Sequence, residues 1–265
     1  MDITGYIASI FIGISLGLIG GGGSILTVPV LVYLFGLDAL LATAYSLFIV
    51  GSTSVVGSFS YFKKGLVNIK TAIIFGIPSI VAVFLTRAYI VPAIPEEVFS
   101  IAAFTVTKNI LLMLLFAVLM IFASYSMIKK CKGEDCLPTD TPAASTLLIV
   151  IQGIFVGFVT GLIGAGGGFL IIPALVNLLR LEFKKAIGTS LVIIALNSLF
   201  GFVISVTHYT IDWIFLFKIL ALAITGVLIG SYLSKKIDGK KLKPAFGWFV
   251  LLMGIYIIIK ETLLH

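Results

Sequence analysis

Charged residues are scarce in this chain. They make up 11% of its 265 residues, against about 25% in an ordinary soluble domain. Hydrophobic residues make up 60%, and the mean hydropathy is +1.23. The apolar residues form runs of about 20, the length that a helix needs to cross ~30 Å of hydrocarbon. Because backbone groups in lipid must be satisfied within a segment, these runs predict an all-α integral membrane protein.

The residues that usually carry chemistry are also few. The chain has two histidines, His208 and His265, and two cysteines, Cys131 and Cys136, which share one hydrophilic loop. The cysteines are predicted to be reduced cytosolic thiols, with a disulfide or a metal clip as the alternative. No metal site, cofactor or enzyme active site is indicated, and no basic stripe suggests nucleic-acid binding. The eleven acidic residues fall in predicted loops or near the termini. No intramembrane carboxylate or histidine is therefore predicted as a proton carrier.

Eight apolar segments divide the chain into two halves. They lie at about 3–35, 40–62, 69–91, 99–128, 147–181, 186–206, 211–233 and 245–259. The one clearly hydrophilic stretch between them has the sequence KKCKGEDCLPTDTP. Its charges and prolines are typical of a linker. We therefore predict a first half at 1–128, a cytoplasmic linker at 129–143 and a second half at 144–265.

The first and fifth segments are too long for single spans, and each contains a glycine cluster. The clusters are Gly20–Gly23 and Gly164–Gly168. Each glycine costs about 1 kcal/mol in a helix relative to alanine, so both clusters are predicted to break the helix. Each long segment is then a helix, a glycine turn and a short second helix. The piece at 24–35 extends only ~18 Å as a helix, which favours a re-entrant hairpin.

The two glycine clusters belong to an internal repeat. Shifting the chain by 144 residues aligns GLIGGGGSILTVP (17–29) with GLIGAGGGFLIIP (161–173), and eight of the 13 positions are identical. Further matches follow downstream at the pairs Ala42/Ala186, Ser46/Ser190, Ser54/Ser198 and Gly57/Gly201. Duplicated halves are common in secondary transporters.

The loop charges predict that the two halves are inverted. Positive connectors lie at 63–70, 129–132, 180–185 and 235–243, and the acidic or neutral connectors contain Asp38, Glu96, Glu97 and Asp212. If each glycine-broken segment returns to its starting face, every positive connector lies inside, as the positive-inside rule requires. Each half then contains one hairpin and three transmembrane helices. Both termini lie outside, and the two glycine turns enter from opposite faces.

The paired glycine motif resembles a known family. The stretches Gly13–Leu31 and Gly153–Leu175, together with the doublet, the central loop and the apolar spacing, are similar to the sulfite exporter TauE/SafE family. The resemblance covers essentially the whole chain. It implies export of sulfite, sulfonates or related organosulfur anions across the cytoplasmic (inner) membrane. A membrane assembly factor or scaffold and a passive anion channel remain as alternatives. A homodimer is compatible with the apolar surface, since lipid-facing and dimer-facing residues have similar compositions.

The glycine turns are the predicted anion site. Free N–H groups and the dipole at helix N-termini attract anions, and glycine lets the backbone approach a ligand closely. Ser24 is predicted to cap the first short helix, and hydroxyls and an amide on the following helices supply further donors. The predicted substrate-binding residues are Gly20, Gly21, Gly22, Gly23, Ser24, Ser46, Gly164, Gly166, Gly167, Gly168, Ser190 and Asn197. The alternative is close helix packing without a ligand, with the hydroxyls bonded to their own helices.

Three cations lie near predicted helix ends. Arg87, Lys108 and Lys218 are interpreted as side chains that snorkel to the membrane surface, and attraction of anions is the alternative for Lys218. Outward anion movement is then favoured by the membrane potential, because an inside-negative potential contributes about 2.3 kcal/mol per charge per 100 mV.

Overall fold

The computed structural model describes residues 3–101, 104–128, 146–179, 181–207, 209–233 and 239–263. The predicted linker with Cys131 and Cys136, and the two histidines, lie outside the described residues.

The described chain is almost entirely helical. In the first half the helices are α1 (Ile3–Ile19), a 3-10 segment (Gly20–Leu26), α2 (Thr27–Tyr33), α3 (Ala39–Lys63), α4 (Ile69–Leu85) with a π turn (Thr86–Ile90), α5 (Val91–Ala93) and α6 (Lys108–Ile128). In the second half they are α7 (Thr146–Ile163), α8 (Gly168–Pro173) with a π turn (Ala174–Leu178), α9 (Phe183–Val206), α10 (Trp213–Leu233) and α11 (Gly239–Leu263).

Six described helical stretches are long and apolar enough to span a membrane. They are Ala39–Lys63, Ile69–Ala93, Lys108–Tyr125, Thr146–Ile163, Lys184–Val206 and Trp213–Leu233. Large apolar side chains are exposed on these helices, among them Phe59, Phe122, Leu147 and Ile214. Soluble proteins rarely expose contiguous apolar surface, whereas a bilayer covers it. The chain is therefore a multi-pass α-helical membrane protein, as its composition predicts.

The first long apolar segment is a hairpin. Gly20 adopts a positive φ of 70°, which ends α1, and the chain then reverses so that Gly23 packs against the α1 backbone at Ser15 and Leu16. At the far end of the hairpin the rings of Tyr6 and Phe35 meet edge to face, with centroids 5.6 Å apart. The segment thus returns to the side on which it began.

The fourth apolar segment departs from expectation at its start. The sequence predicts one apolar run over 99–128, but the structure has a β-hairpin of β1 (Glu97–Ile101) and β2 (Phe104–Thr107) before α6 begins at Lys108. The β-branched and aromatic residues of this stretch favour strands. Hydropathy alone does not distinguish such a hairpin from the first turns of a helix.

Small residues hold the two halves together at equivalent places. Gly13 of α1 packs on the α10 backbone at Ala223, and Gly157 of α7 packs on the α4 backbone at Ser79. The two glycines are 144 residues apart in the sequence, and so are the two residues that they contact. Each half therefore places its hairpin helix against the fourth helix of the other half, through small-residue contacts that let backbones approach closely.

Helices α3 and α9, which occupy equivalent positions in the repeat, cross at the centre of the molecule. Gly57 contacts Leu191, Gly51 contacts Leu199, and Gly201 contacts Leu47. As the residue number rises along α3, the number of the residue it contacts on α9 falls, so the two helices run antiparallel.

Candidate functional site

The two glycine turns meet inside the protein. A Cβ placed on Gly21 would lie 2.8 Å from the Cα of Gly168, and one placed on Gly168 would overlap the backbone of Gly21. Both residues are buried. The direct backbone contact between the two turns explains why both positions are glycine.

The first turn is a 3-10 helix rather than an open break. The cluster at Gly20–Gly23 was predicted to leave helical geometry, but only Gly20 does so, and Gly22 lies within the 3-10 segment. The prediction that Ser24 caps the short helix is wrong. Helix α2 begins later, at Thr27, and the Ser24 hydroxyl donates to the carbonyl of Gly21 (2.7 Å).

The second turn is more open in conformation and more polar in its surroundings. Gly164, Gly166 and Gly167 all have positive φ, between 67° and 72°. A Cβ on Gly164 would lie 2.6 Å from Nη2 of Arg87, and one on Gly166 would lie 2.9 Å from Oγ of Ser198. Gly167 abuts the hydroxyl of Thr160. Side-chain donors thus surround this turn.

Hydroxyl groups at the core divide into two classes. An anion accepts hydrogen bonds only, and each hydroxyl has one hydrogen to donate. Ser24 and Ser190 donate theirs to backbone carbonyls, at 2.7 Å to Gly21 and 2.8 Å to Ile187. Thr160 and Ser198 are buried and have no hydrogen-bond partner among the described residues. Thr27, Ser46 and Ser54 are also buried with unpaired hydroxyls, so free donors occur in both halves, and those of Thr160 and Ser198 are the two that lie against glycines of the second turn.

The other predicted polar residues are distributed more widely. Ser46, which occupies the position equivalent to Ser190, is buried with an unpaired hydroxyl. The side-chain amide of Asn197 donates to Oγ of Ser79 (2.6 Å), and its Oδ1 has no described partner. Asn197 therefore joins α9 to α4, and Ser46 has a hydrogen available on α3.

Two of the three snorkelling predictions are wrong. Arg87 is 3% exposed and Lys108 is 5% exposed, whereas Lys218 is exposed. Arg87 lies in the π turn that follows α4, and its Nη1 donates to Oγ of Ser205 (3.4 Å). Arg87 and Thr160 are the residues that sequence reasoning missed. The repeat could have drawn attention to Arg87. Its equivalent at position 231 is serine, so the cation is present in only one half.

A small cavity lies beside Arg87. It has a volume of about 120 Å³ and is lined by Arg87, Val91, Pro92, Ser205 and Tyr209. A larger pocket of about 480 Å³ lies between α3 and the start of α10, beside Tyr45 and Asp212. The carboxyl group of Asp212 makes that pocket less suitable for an anion.

One acidic residue near the C-terminus is buried. Glu261 is 5% exposed and accepts a hydrogen bond from the Tyr33 hydroxyl (2.7 Å). Lys260 lies 4.0 Å from the centre of the Tyr33 ring. This cluster joins the end of the first hairpin to α11, away from the glycine turns.

Comparison with known proteins identifies relatives over nearly the whole chain. A family model described as "Sulfite exporter TauE/SafE" matches residues 6–257. A probable membrane transporter protein from Xylella fastidiosa is 29% identical over 254 residues, covering 93% of this chain and 91% of the relative. The probable membrane transporter proteins YunE of Bacillus subtilis (28%, covering 91% of each chain) and MJ0441 of Methanocaldococcus jannaschii (26%, covering 96% and 94%) are similar. No solved structure matches.

Proposed function

This chain belongs to the sulfite exporter TauE/SafE family of membrane transporters, and we propose that it exports a small sulfur-containing anion. Sulfite, a sulfonate or a related organosulfur anion crosses the cytoplasmic membrane from inside to outside. Both termini face outward in this arrangement, which places the positive connectors inside. The inside-negative potential drives the anion outward.

The observation that carries this proposal is the polar shell of the second glycine turn. Thr160 and Ser198 have unpaired hydroxyls beside Gly167 and Gly166. A buried polar group without a partner costs about 1–3 kcal/mol, so its retention indicates a use. An oxyanion at this turn accepts hydrogen bonds from both hydroxyls, while the glycines let its oxygens approach the backbone.

The mechanism that we propose is alternating access between two inverted repeats. Its support is the antiparallel crossing of α3 and α9 and the reciprocal packing of α1 on α10 and of α7 on α4. The glycine turns meet where these elements cross. A rocking motion of one half against the other would expose this meeting point first to one face and then to the other.

The test is anion flux in proteoliposomes containing the purified protein. Sulfite, methanesulfonate, ethanesulfonate and thiosulfate are loaded inside, and their efflux is measured with and without an imposed potential. We expect saturable efflux of at least one of them. Absence of flux for all four, under any gradient, would overturn the proposal, and non-saturating flux would instead indicate a channel.

Matched variants connect the flux to the site. Ser198→Ala and Thr160→Val remove unpaired hydroxyls, so the protein should stay folded while the half-saturating concentration rises about 5- to 10-fold, as expected for one lost hydrogen bond. Ser124→Ala is the control, because Ser124 is equally buried but donates to the carbonyl of Ile121 on its own helix, α6 (2.7 Å). Equal effects in all three variants would contradict the site.

A further inference from the structure

Arg87 is a buried cation with two unused donors. It lies inside a membrane-spanning stretch and is 3% exposed, yet its Nε and Nη2 have no hydrogen-bond partner among the described residues. Burying an unpaired charge is among the most expensive arrangements in a protein. The equivalent position in the other half is serine, so this buried cation is particular to the first half.

The two unused donors have a specific geometry. Nε and Nη2 lie on the same edge of the guanidinium plane, and this edge binds two oxygens of one oxyanion through parallel hydrogen bonds. The remaining nitrogen, Nη1, donates to Ser205, whose own hydroxyl donates to the carbonyl of Gly201 (2.9 Å). Ser205 therefore orients the guanidinium and has no hydrogen of its own left for a ligand.

The space beside Arg87 suits a small ligand. The cavity has a volume of about 120 Å³, well below the roughly 300–1,000 Å³ of sites for drug-sized ligands. Arg87 is the one charged residue among the described residues that line it, and Val91 and Pro92 supply an apolar wall. A single cation compensates a single negative charge, and the apolar wall accepts a short carbon tail.

We propose that the Nε/Nη2 edge of Arg87 binds the head group of a monoanionic oxyanion, a short-chain sulfonate or hydrogensulfite, which reaches it through this cavity. The inference rests on the proposed function and adds to it the charge and size of the substrate. Because Nη2 also abuts Gly164, the guanidinium connects the cavity to the second glycine turn. The anion thus passes between the cavity and the second glycine turn along the Arg87 side chain.

Tyr209 also lines the cavity. Burial raises the pKa of its phenol; Arg87 opposes that shift, and the carboxylates of Asp38 and Glu96 add to it. The phenol therefore stays protonated and can donate a hydrogen bond.

The experiment measures binding separately from transport. The full-length protein in detergent or nanodiscs is titrated with methanesulfonate, and its thermal unfolding midpoint is recorded. Sulfate tests the preference for a monoanion, chloride tests the need for paired oxygens, and methanesulfonamide, a neutral analogue of similar shape, tests the need for charge. We expect methanesulfonate to raise the midpoint and the other three to act at least tenfold more weakly. Equal binding of methanesulfonamide or chloride would overturn the proposal.

Variants of Arg87 give a second, independent measurement. Arg87→Gln should weaken methanesulfonate binding roughly 10- to 100-fold, the loss expected for a charge-assisted pair of hydrogen bonds. Arg87→Lys should bind methanesulfonate with an affinity between those of the unmodified protein and Arg87→Gln, because lysine keeps the charge but lacks the paired donors. Arg87→Met should raise the unfolding midpoint of the ligand-free protein while abolishing the response to methanesulfonate. A variant that binds as tightly as the unmodified protein would overturn the site.

The outcomes separate this site from the proposed function. Flux that persists unchanged in Arg87→Gln would reject the site and keep sulfur-anion export. Arg87-dependent binding of methanesulfonate without flux of any sulfur anion would reject export and keep the site. A lower unfolding midpoint in ligand-free Arg87→Met would show that Arg87 is structural, and would also overturn the site.

Discussion

The backbone N–H of Asp212 donates to the phenolic oxygen of Tyr45 at 2.7 Å. The repeat contains an equivalent bond, in which the backbone N–H of Asn68 donates to Oγ1 of Thr189 at 2.9 Å. Asn68 and Asp212 are 144 residues apart, and so are Tyr45 and Thr189. Asp212 and Asn68 also cap the helices that follow them, by accepting from the N–H of Phe215 and Thr71. The third helix of each half thus holds the start of the fourth helix of the other half.

This relationship predicts a stability effect for Tyr45→Phe. The variant keeps the ring packing but leaves the Asp212 N–H without its acceptor, at a cost of about 1 kcal/mol. Thermal unfolding in detergent should show a midpoint lowered by a few degrees. Tyr89→Phe is the control, because Tyr89 is 65% exposed. Equal midpoints for the two variants would show that the bond contributes nothing.

The packing of α1 on α10 predicts opposite outcomes for two glycine substitutions. In Gly13→Ala the new methyl group overlaps the carbonyl of Ala223, and overpacking of this kind costs about 1–3 kcal/mol. In Gly76→Ala the nearest atom outside its own helix is 4.0 Å away, on Ile193. Alanine there gains up to about 1 kcal/mol of helix propensity.

Unfolding midpoints and yields of folded protein measure both effects. Gly13→Ala should lower them and Gly76→Ala should leave them equal or higher. A well-folded Gly13→Ala protein with an unchanged midpoint would contradict the close approach of α1 and α10.

The second glycine turn predicts a transport defect that backbone strain alone does not explain. Gly166→Ala faces both a positive φ and close neighbours, Val50 and Ser198. Gly65→Ala has a similar φ of 65° but open space around it. Strain of about 1 kcal/mol is common to both, so only Gly166→Ala should lose most of its flux in proteoliposomes. Comparable flux in the two variants would contradict a role of this turn in transport.

The bond between Asn197 and Ser79 predicts coupling between α9 and α4. Ser79→Ala leaves a buried amide without its acceptor, so it should destabilise the protein by about 1–3 kcal/mol. When Asn197 has already been replaced by alanine, the Ser79→Ala substitution should lower the unfolding free energy much less. A double-mutant cycle on unfolding free energies should therefore give a coupling of about 1 kcal/mol or more. Simple additivity would mean that the two side chains do not interact.

Much of the architecture was predictable because it depends on patterns along the chain. Runs of about 20 apolar residues predicted the spanning helices, and the shift of 144 residues located both glycine turns. The β-hairpin before α6 was not predictable from hydropathy, since strand and helix residues there are equally apolar. The prediction that Ser24 caps a helix was wrong for a local reason. The 3-10 segment continues past the glycines, and the Ser24 hydroxyl donates to the Gly21 carbonyl within it.

Composition and the repeat of 144 residues are properties of the linear chain, so they suffice to predict a duplicated helical membrane protein with two glycine turns. Which donors face those turns depends on the folded chain. Ser46 and Ser190 are equivalent in the repeat, yet one hydroxyl is free and the other bonded. Arg87, near a helix end in the sequence, is buried against Gly164. Whether a polar group is free depends on neighbours brought together from both halves, which the linear order of residues does not specify.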